Sequence, residues 1–513
     1  MAPLILPCKC TNVVPPARVK TKYYKVQASI EGCQIKGFCQ YLHLKLPLPL
    51  EDQFYWNNCQ CNEFDGLMRR HFIGSLVGFT PNNPAIQLLE RETEQMRSVI
   101  PSFRCVDHKT LIENTRSTIK NRYRRAYFEL RNRVTNLGYK EKCVKAFVKY
   151  EKIPVGKYES GKPPRMIQFR DFTYLYCLKK ELLPFSLTVK NSPELKWNTQ
   201  CIKSIFTKVH DSYGTAAVLK ESWDMFIEPV AICLDHSKFD GHYCKELLEI
   251  EAEFWRNLNN SHMLKWLLEQ QLVNHGRTHH GIKYEVIGGR MSGEYTTSDG
   301  NSLMNYAMLV TWLKHYGLDQ HQFRVHVNGD DSVIIVDKQF SWLSRKLRYF
   351  RHFNMETECD RVVDDFRLIT YCQASPIRGR ELKWYMVKEP IRTLSRLRYC
   401  DEKFSKVIGR YTRGVGLCEL AVNSGIPIMQ SVARWMISVG DKPLGCVDKF
   451  PALNSGNDVE ESVILPITRS DYEVAFGVSI EGQLDIEKHF AGQIRSPQDL
   501  SAIITRYKTF HKN

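Results

Sequence analysis

At 513 residues, with 43% hydrophobic and 11% aromatic content, the chain can bury more than one core, which excludes a disordered or low-complexity protein. Its 72 Lys and Arg against 56 Asp and Glu leave a formal charge of +16, a balance suited to polyanions: nucleic acid or an anionic membrane surface. No apolar stretch approaches the ~18 residues of a membrane span, and the opening MAPLILPCKC is too short and too weakly charged for a secretory signal. Residues 1–105 are rich in Cys, Pro and Asn, with turn clusters such as TPNNP. Seventeen cysteines, an odd number without a secretory leader, point to reduced thiols in the cytosol. Six of them open the chain: Cys8, Cys10, Cys33, Cys39, Cys59 and Cys61. The pairs CKC and CQC enclose one residue where structural zinc spacing encloses two to four, which favours buried free thiols over zinc.

Residues 110–150 show helical spacing with many basic side chains, and GKYESGKPPR (156–165) reads as a Gly/Pro-rich loop. Between Arg116 and Arg170 there are 16 Lys and Arg against 4 Asp and Glu, so most of the net charge lies in a tenth of the length. Solvated helix faces usually mix signs; this stretch reads as a polyanion-binding surface. From Pro229 the texture changes. VAICLD reads as a buried strand, CKELLEIEAEFWRNL has helix period, and SLMNYAMLVTWLKHYG is a second helical run. RVHVNGDDSVIIV (324–336) then reads as a hairpin: Val325 and Val327 alternate with polar residues, Asn328-Gly329 marks the turn, and Ser332–Val336 returns. After about residue 385 the pattern is again mostly helical, broken by Pro427, Pro443 and Pro451, and the end from Pro497 is basic and polar. This order predicts an α+β catalytic core between two accessory lobes.

The hairpin tip carries Asp330 and Asp331 side by side, a pair that repels itself unless a cation or proton intervenes. A polar turn would look the same, so the tripeptide alone decides little. Its first partner is Asp235 at the end of the VAICL strand, with Asp240 five residues on. An aspartate ending an apolar strand needs compensation for its desolvation, and a divalent metal shared with Asp330 supplies it. Hard oxygen ligands without neighbouring His/Cys clusters favour Mg²⁺, or Mn²⁺, over zinc, and two such ions suit phosphoryl transfer. The second partner is RMSGEYTTSDGNSLMNY. Ser292-Gly293 forms a flexible loop able to approach a nucleic-acid strand, and Thr297 and Asn301 share one face of the helix that follows. A hydroxyl and an amide so placed can read a ribose 2′-OH, although a helix capped by Ser and Thr has the same signature. The third is FVKYEKI with PPRMIQFR, whose Lys149, Lys152, Arg165 and Arg170 suit a triphosphate and its leaving pyrophosphate. Basic residues in such loops are also common on surfaces. The order of these four weak signals carries the argument: the hairpin is expected to be a metal site.

On these motifs the chain resembles the viral RNA-dependent RNA polymerases, specifically the tombusvirus-like group of positive-strand RNA viruses. LDHSKFD is similar to their motif A, MSGEYTTSDGN to motif B, NGDD to motif C, FVKYEK with PPRMIQFR to motif F, and YCQ (371–373) to motif E. VGLCELAVNSGIPIMQ (415–430) is similar to a thumb segment of that group, so the resemblance runs from about residue 145 to 430. It implies an α+β right-hand polymerase with fingers, a palm of antiparallel sheet plus helices, and a thumb, closed by fingertips. The implied division is 1–105, a Cys-rich extension belonging to the fingers and fingertips; 106–229, fingers with the basic nucleotide-binding motif; 230–385, palm with a fingers segment inserted at about 250–287; and 386–513, thumb and C-terminal tail.

By the same resemblance Asp235 and Asp330 hold two Mg²⁺ (or Mn²⁺) ions and Asp331 assists. Asp240 and Asn301 recognise the ribose, Ser292, Gly293 and Thr297 position template and nucleotide, and Lys149, Lys152, Arg165 and Arg170 line the nucleotide channel. The implied partners are viral RNA template, nascent RNA, NTPs and a membrane-anchored viral replication protein. The implied setting is the host cytoplasm at membrane-associated replication complexes. Two positions depart from the family. Glu356 stands where motif D has a lysine after the Met of FNMETE, which leaves the general acid unassigned among His352, Arg361 and water; DFTYLY follows Arg170 where the family has a second Pro-Arg. A reverse transcriptase is the nearest rival, but its hairpin usually carries an aromatic residue where Asn328 stands. A non-catalytic RNA-binding factor with a decayed palm is disfavoured by intact Asp235, Asp330 and Asn301.

Overall fold

The computed structural model describes residues 18–28, 40–42, 50–76, 79–132, 137–438 and 460–492. Cys8, Cys10, Cys33, Cys39, Pro443, Pro451 and the basic tail from Pro497 lie outside them. The described chain is a mixed helix and sheet structure built around two sheets.

The smaller sheet has four antiparallel strands in the order Phe323–Asn328, Asp331–Asp337, Pro229–Ser237, Glu356–Val363. Its central strand shows why VAICL is an unbroken apolar run. Ile232 and Leu234 join the core beneath the Thr296–His315 helix, with Val325, Ile334 and Met304. Ala231 and Cys233 face the opposite core, with Leu219, Trp223 and Phe366. Both faces of the strand are covered, so no residue in it needs to be polar until Asp235. The Thr296–His315 helix is itself buried nearly all round, which accounts for its apolar residues on every side. Burial of each such side chain contributes roughly 1.5–3 kcal/mol, and this core is the platform on which the hairpin stands.

The larger sheet has six strands, in the order Arg18–Lys20, Tyr24–Gln27, Lys283–Ile287, Val273–Thr278, Val144–Val148, Met166–Phe169. Only the Val273–Thr278/Val144–Val148 pair is parallel. The stretches expected at 1–105, 106–229 and about 250–287 therefore share one sheet. Within the last of them, the Lys245–Leu258 and His262–Glu269 helices pack instead into the main core through Phe254, Trp255 and Leu267.

Two sequence expectations are corrected here. The helical stretch 110–150 ends in a strand, because VKAFV alternates buried and exposed residues with period two. The loop expected at 156–165 begins inside a short helix, Val155–Glu159. The hairpin of Ala374–Arg378 and Trp384–Lys388 packs against the Pro466–Phe476 helix and shares a core with the Ile408–Asn423, Met429–Ser438 and Ile480–Phe490 helices. Buried Asp471 ties the two, accepting from Arg378 Nε (2.7 Å), Arg378 Nη2 (2.8 Å) and Arg367 Nη1 (3.4 Å). Gln40–Leu42 pairs antiparallel with Tyr399–Asp401, joining the N-terminal part to the C-terminal lobe. No helix among the described residues is long and apolar enough to cross a membrane.

Candidate active site

The hairpin turns through Gly329 and Asp330, since Asn328 pairs with Asp331. Gly329 has φ +69°, the left-handed region that a glycine adopts without strain and a two-residue hairpin demands at its first position. The tip is held from the Thr296–His315 helix. Gly329 N donates to Ser302 Oγ (2.8 Å), and Asn305 Nδ2 donates to the carbonyls of Gly329 (3.0 Å) and Asp330 (3.1 Å). With its amide so engaged, Asn305 Oδ1 accepts from His236 Nε2 (3.0 Å), leaving His236 Nδ1 to accept from Thr357 Oγ1 (2.8 Å). That tautomer is neutral, in keeping with burial that pushes His236 down to about 4. Sequence reasoning missed Ser302, Asn305 and His236. For Ser302 and Asn305 the signal was the polar stripe Ser298, Asn301, Ser302, Asn305 at i, i+3, i+4, i+7 of one helix; His236, on the central strand, had no such signal.

The register Leu234↔Ser332 sets Asp235 beside this tip. Asp235, Asp240 and Asp330 line a cavity of about 360 Å³. Its walls push the carboxyl of Asp330 upward, and the charge of Asp235 adds to the effect. Asp331, flanking the cavity, is raised to about 6 by burial and by Asp330 and Asp235. Asp240 is also raised to about 6 by burial, against the hydrogen bond it receives from Asn301 Nδ2 (2.9 Å). Carboxylates that resist ionisation together fit a site for positive charge. Among the described residues no group of three or more His, Cys, Asp or Glu side chains is placed to hold a metal ion. Mg²⁺ asks for none, since it is commonly held by one or two carboxylates with waters and substrate phosphates.

The same cavity carries basic side chains. Lys149 and Arg165 line the cavity, both anchored on Glu151 (3.1 and 3.6 Å). Arg70, Lys162 and Lys238 join them, and none of the three was singled out from the sequence. Lys238 occupies the left-handed region (φ 52°) between Asp235 and Asp240, a conformation that a non-glycine side chain adopts at a cost. Neither His352 nor Arg361 lines the cavity.

Two basic residues expected at the nucleotide are elsewhere. Arg170 is 0% exposed: its guanidinium pairs with Glu294 and donates to Lys142 O (2.8 Å), Gln270 O (2.7 Å) and Asn274 Oδ1 (2.6 Å). Four of its five N–H donors are spent inside the protein, so it fastens the larger sheet. Lys152 Nζ donates to Arg396 O (2.7 Å) and Tyr399 O, carbonyls at and just beyond the C-terminus of the Pro390–Leu397 helix. A cation at a helix C-terminus is favoured by the dipole, and this one staples the basic segment to the C-terminal lobe.

The Ser292-Gly293 loop, expected to be flexible, is stitched to Met166–Phe169. Ser292 Oγ donates to Met166 O (3.0 Å), Gly293 N donates to Gln168 O (2.7 Å), and a Cβ on Gly293 would lie 2.6 Å from Phe169 Cβ. The close approach that requires glycine is to the protein's own strand. Ser292 and Thr297 line the cavity, and Thr297 Oγ1 donates to Met291 O (3.0 Å). Asn301 is only 4% exposed and meets the cavity through Asp240. A larger surface cavity of about 880 Å³ lies between the Pro84–Val99 and Lys245–Leu258 helices, but its carboxylates Glu90, Glu94, Glu246, Glu249 and Glu253 would repel phosphate.

The sequence model of one family, described as viral RNA dependent RNA polymerase, matches residues 31–492. The RNA-directed RNA polymerase of Tobacco necrosis virus (strain A) is 33% identical over 309 residues, 58% of this chain and 41% of that protein. That of Melon necrotic spot virus is 29% identical over 364 residues, covering 68% and 45%. That of Tomato bushy stunt virus (strain Cherry) is 30% identical over 366 residues, covering 69% and 43%. The chain spans less than half the length of these relatives.

Proposed function

The chain belongs to the viral RNA-dependent RNA polymerase family, and on that premise we propose that it copies a positive-strand viral RNA genome by template-directed addition of ribonucleotides. The observation that carries the reading is one cavity lined by Asp235 and Asp330 together with Lys149 and Arg165. In the proposed reaction the 3′-hydroxyl of the growing RNA attacks the α-phosphate of an NTP, the new P–O bond forms, and pyrophosphate leaves. Asp235 and Asp330 would hold two Mg²⁺ or Mn²⁺ ions, with Asp331 assisting; when bound, such ions neutralise phosphate charge and stabilise the attacking and leaving oxygens. Lys149 and Arg165, with Arg70 and Lys162, draw in the triphosphate and balance the charge of the pyrophosphate. Asp240, presented by Asn301, accepts a hydrogen bond from the ribose 2′-OH.

The same proposal takes the four-stranded sheet and its helices as the palm (230–385), the six-stranded sheet as part of the fingers, and the helices beyond 386 as the thumb. The Gln40–Leu42/Tyr399–Asp401 pairing and the Lys152 staple support a closed hand. Work in the host cytoplasm at membrane-associated replication complexes, beside a membrane-anchored replication protein, is part of the proposal. A formal charge of +16 suits both the RNA and an anionic surface.

The test is primer extension and de novo synthesis on a defined RNA template with purified protein, Mg²⁺ and either rNTPs or dNTPs. Mg²⁺-dependent rNTP incorporation is expected. Preference for dNTPs would make the chain a reverse transcriptase, and RNA binding without synthesis would make it a replication factor.

A further inference from the structure

Behind Asp240 lies a run of buried polar side chains that do not line the cavity. Arg290, 1% exposed, donates from Nε to Asn301 Oδ1 (2.9 Å) and from Nη1 to Thr296 Oγ1 (2.9 Å), while Nη2 pairs with Glu251. Its guanidinium lies over the Tyr243 ring, 4.3 Å from the centroid. Glu251 is held in turn by Tyr243 OH (2.5 Å) and Trp255 Nε1 (2.9 Å). Gly300 makes room for the pair: a Cβ there would stand 2.2 Å from Glu251 Oε1 and 3.0 Å from Arg290 Nη2. The backbone N–H of Arg290 also donates to Asp240 O (2.8 Å).

The amide of Asn301 has two orientations of the same shape. In the one present, Oδ1 faces the guanidinium and Nδ2 donates to Asp240 Oδ1 (2.9 Å). Turning it over would set donor against donor at Arg290 and acceptor against acceptor at Asp240. A buried ion pair gains little stability over apolar residues of the same volume, so stability alone does not account for this one. We infer that Arg290, held by Glu251, is a positioning residue for sugar selection: it fixes the Asn301 amide, which fixes the Asp240 carboxylate where the ribose 2′-OH must be met. The inference rests on the reading that Asp240 meets the ribose.

The test is single-nucleotide incorporation of GTP and dGTP opposite template cytidine by the full chain, read as the ratio of the two kcat/KM values. Arg290→Lys keeps a charge for Glu251 and loses the Nε–H donor. It should lower the GTP/dGTP ratio about tenfold, the worth of one sharply placed hydrogen bond. Glu251→Gln should act in the same direction by a smaller factor, and its unchanged ratio would overturn the inference even where Arg290→Lys does not fold. In an Asp240→Ala background, Arg290→Lys should move the ratio less than twofold. Equal slowing of both sugars by Arg290→Lys marks a merely structural role and overturns the proposal, as does a full shift that persists without Asp240. A wild-type ratio in Asp240→Ala itself would instead remove the ribose reading, and the positioning role with it.

Discussion

Replacing Lys152 with Met separates the two roles this lysine can have. The substitution keeps most of the aliphatic stem and removes the ammonium, leaving Arg396 O and Tyr399 O without their donor. A buried carbonyl stripped of its partner costs ~1–3 kcal/mol, and water entering beside the helix end will recover part of it. A net loss of about 2 kcal/mol is expected, local to the junction of the basic segment with the C-terminal lobe. By hydrogen–deuterium exchange, peptides covering 396–401 and 50–56, whose Gln53–Phe54 strand pairs with Ile153–Pro154, should open about thirtyfold faster. The pH dependence has a defined sign. Burial, aided by the Arg396 guanidinium, pushes Lys152 down to about 8 from its usual 10.5. Between those values the unfolded chain binds more protons than the folded one, so stability from this residue rises with pH across the window. The difference in unfolding midpoint between wild type and Lys152→Met should therefore widen from pH 8 to 10. Unchanged exchange at both peptides, together with a tenfold rise in KM for NTP at low salt, would refute the staple and return Lys152 to the nucleotide.

Asp330→Asn and Asp235→Asn should each lower nucleotide incorporation at least ~10³-fold without unfolding the protein, and the double variant should be hardly slower than either, because ligands of one site act as a unit. Extension within tenfold of wild type by either variant would contradict the assignment. Lys149→Met with Arg165→Met should raise KM for NTP and flatten its salt dependence, read by steady-state incorporation at several ionic strengths. Exchanging exposed Arg116, Arg122 and Arg124 for Gln, at and within the Ser117–Arg131 helix, should weaken RNA binding evenly across sequences. The slope of log K against log salt should fall by about 2, measured by fluorescence anisotropy.

What could be read in advance follows the range of the forces involved. The hairpin was legible because Asn328-Gly329 and the flanking alternation are local, and the central strand because covering both faces makes its run apolar. Partnerships across the chain were not. Arg170 looks like any basic residue of its segment until Glu294, 124 positions away, folds against it. Lys152 finds its carbonyls 244 and 247 positions on. Charge is visible in a sequence, but the direction in which a long side chain points is decided by packing. Asn301 shows the same limit at closer quarters: it was expected beside Asp240 at one ribose, whereas its burial behind Asp240 depends on Glu251, which carries no motif, and on Arg290, whose place at the head of RMSGEYTTSDGN did not reveal its partner.

The six-stranded sheet has a consequence for how the chain is made. Tyr24–Gln27 pairs with Lys283–Ile287, a partner synthesised about 250 residues later. At the ~5–20 residues per second of translation, the N-terminal strands wait roughly ten to fifty seconds with an open edge, and Val144–Val148 waits for Val273–Thr278 as well. Loop closure of that span must precede any reward from the pairing, which favours slow, late completion over folding from the N-terminus onward. The carbonyls that receive Lys152 emerge later still. The six-stranded sheet and its junction with the C-terminal lobe therefore close late, and until then the nascent chain exposes unpaired strand edges.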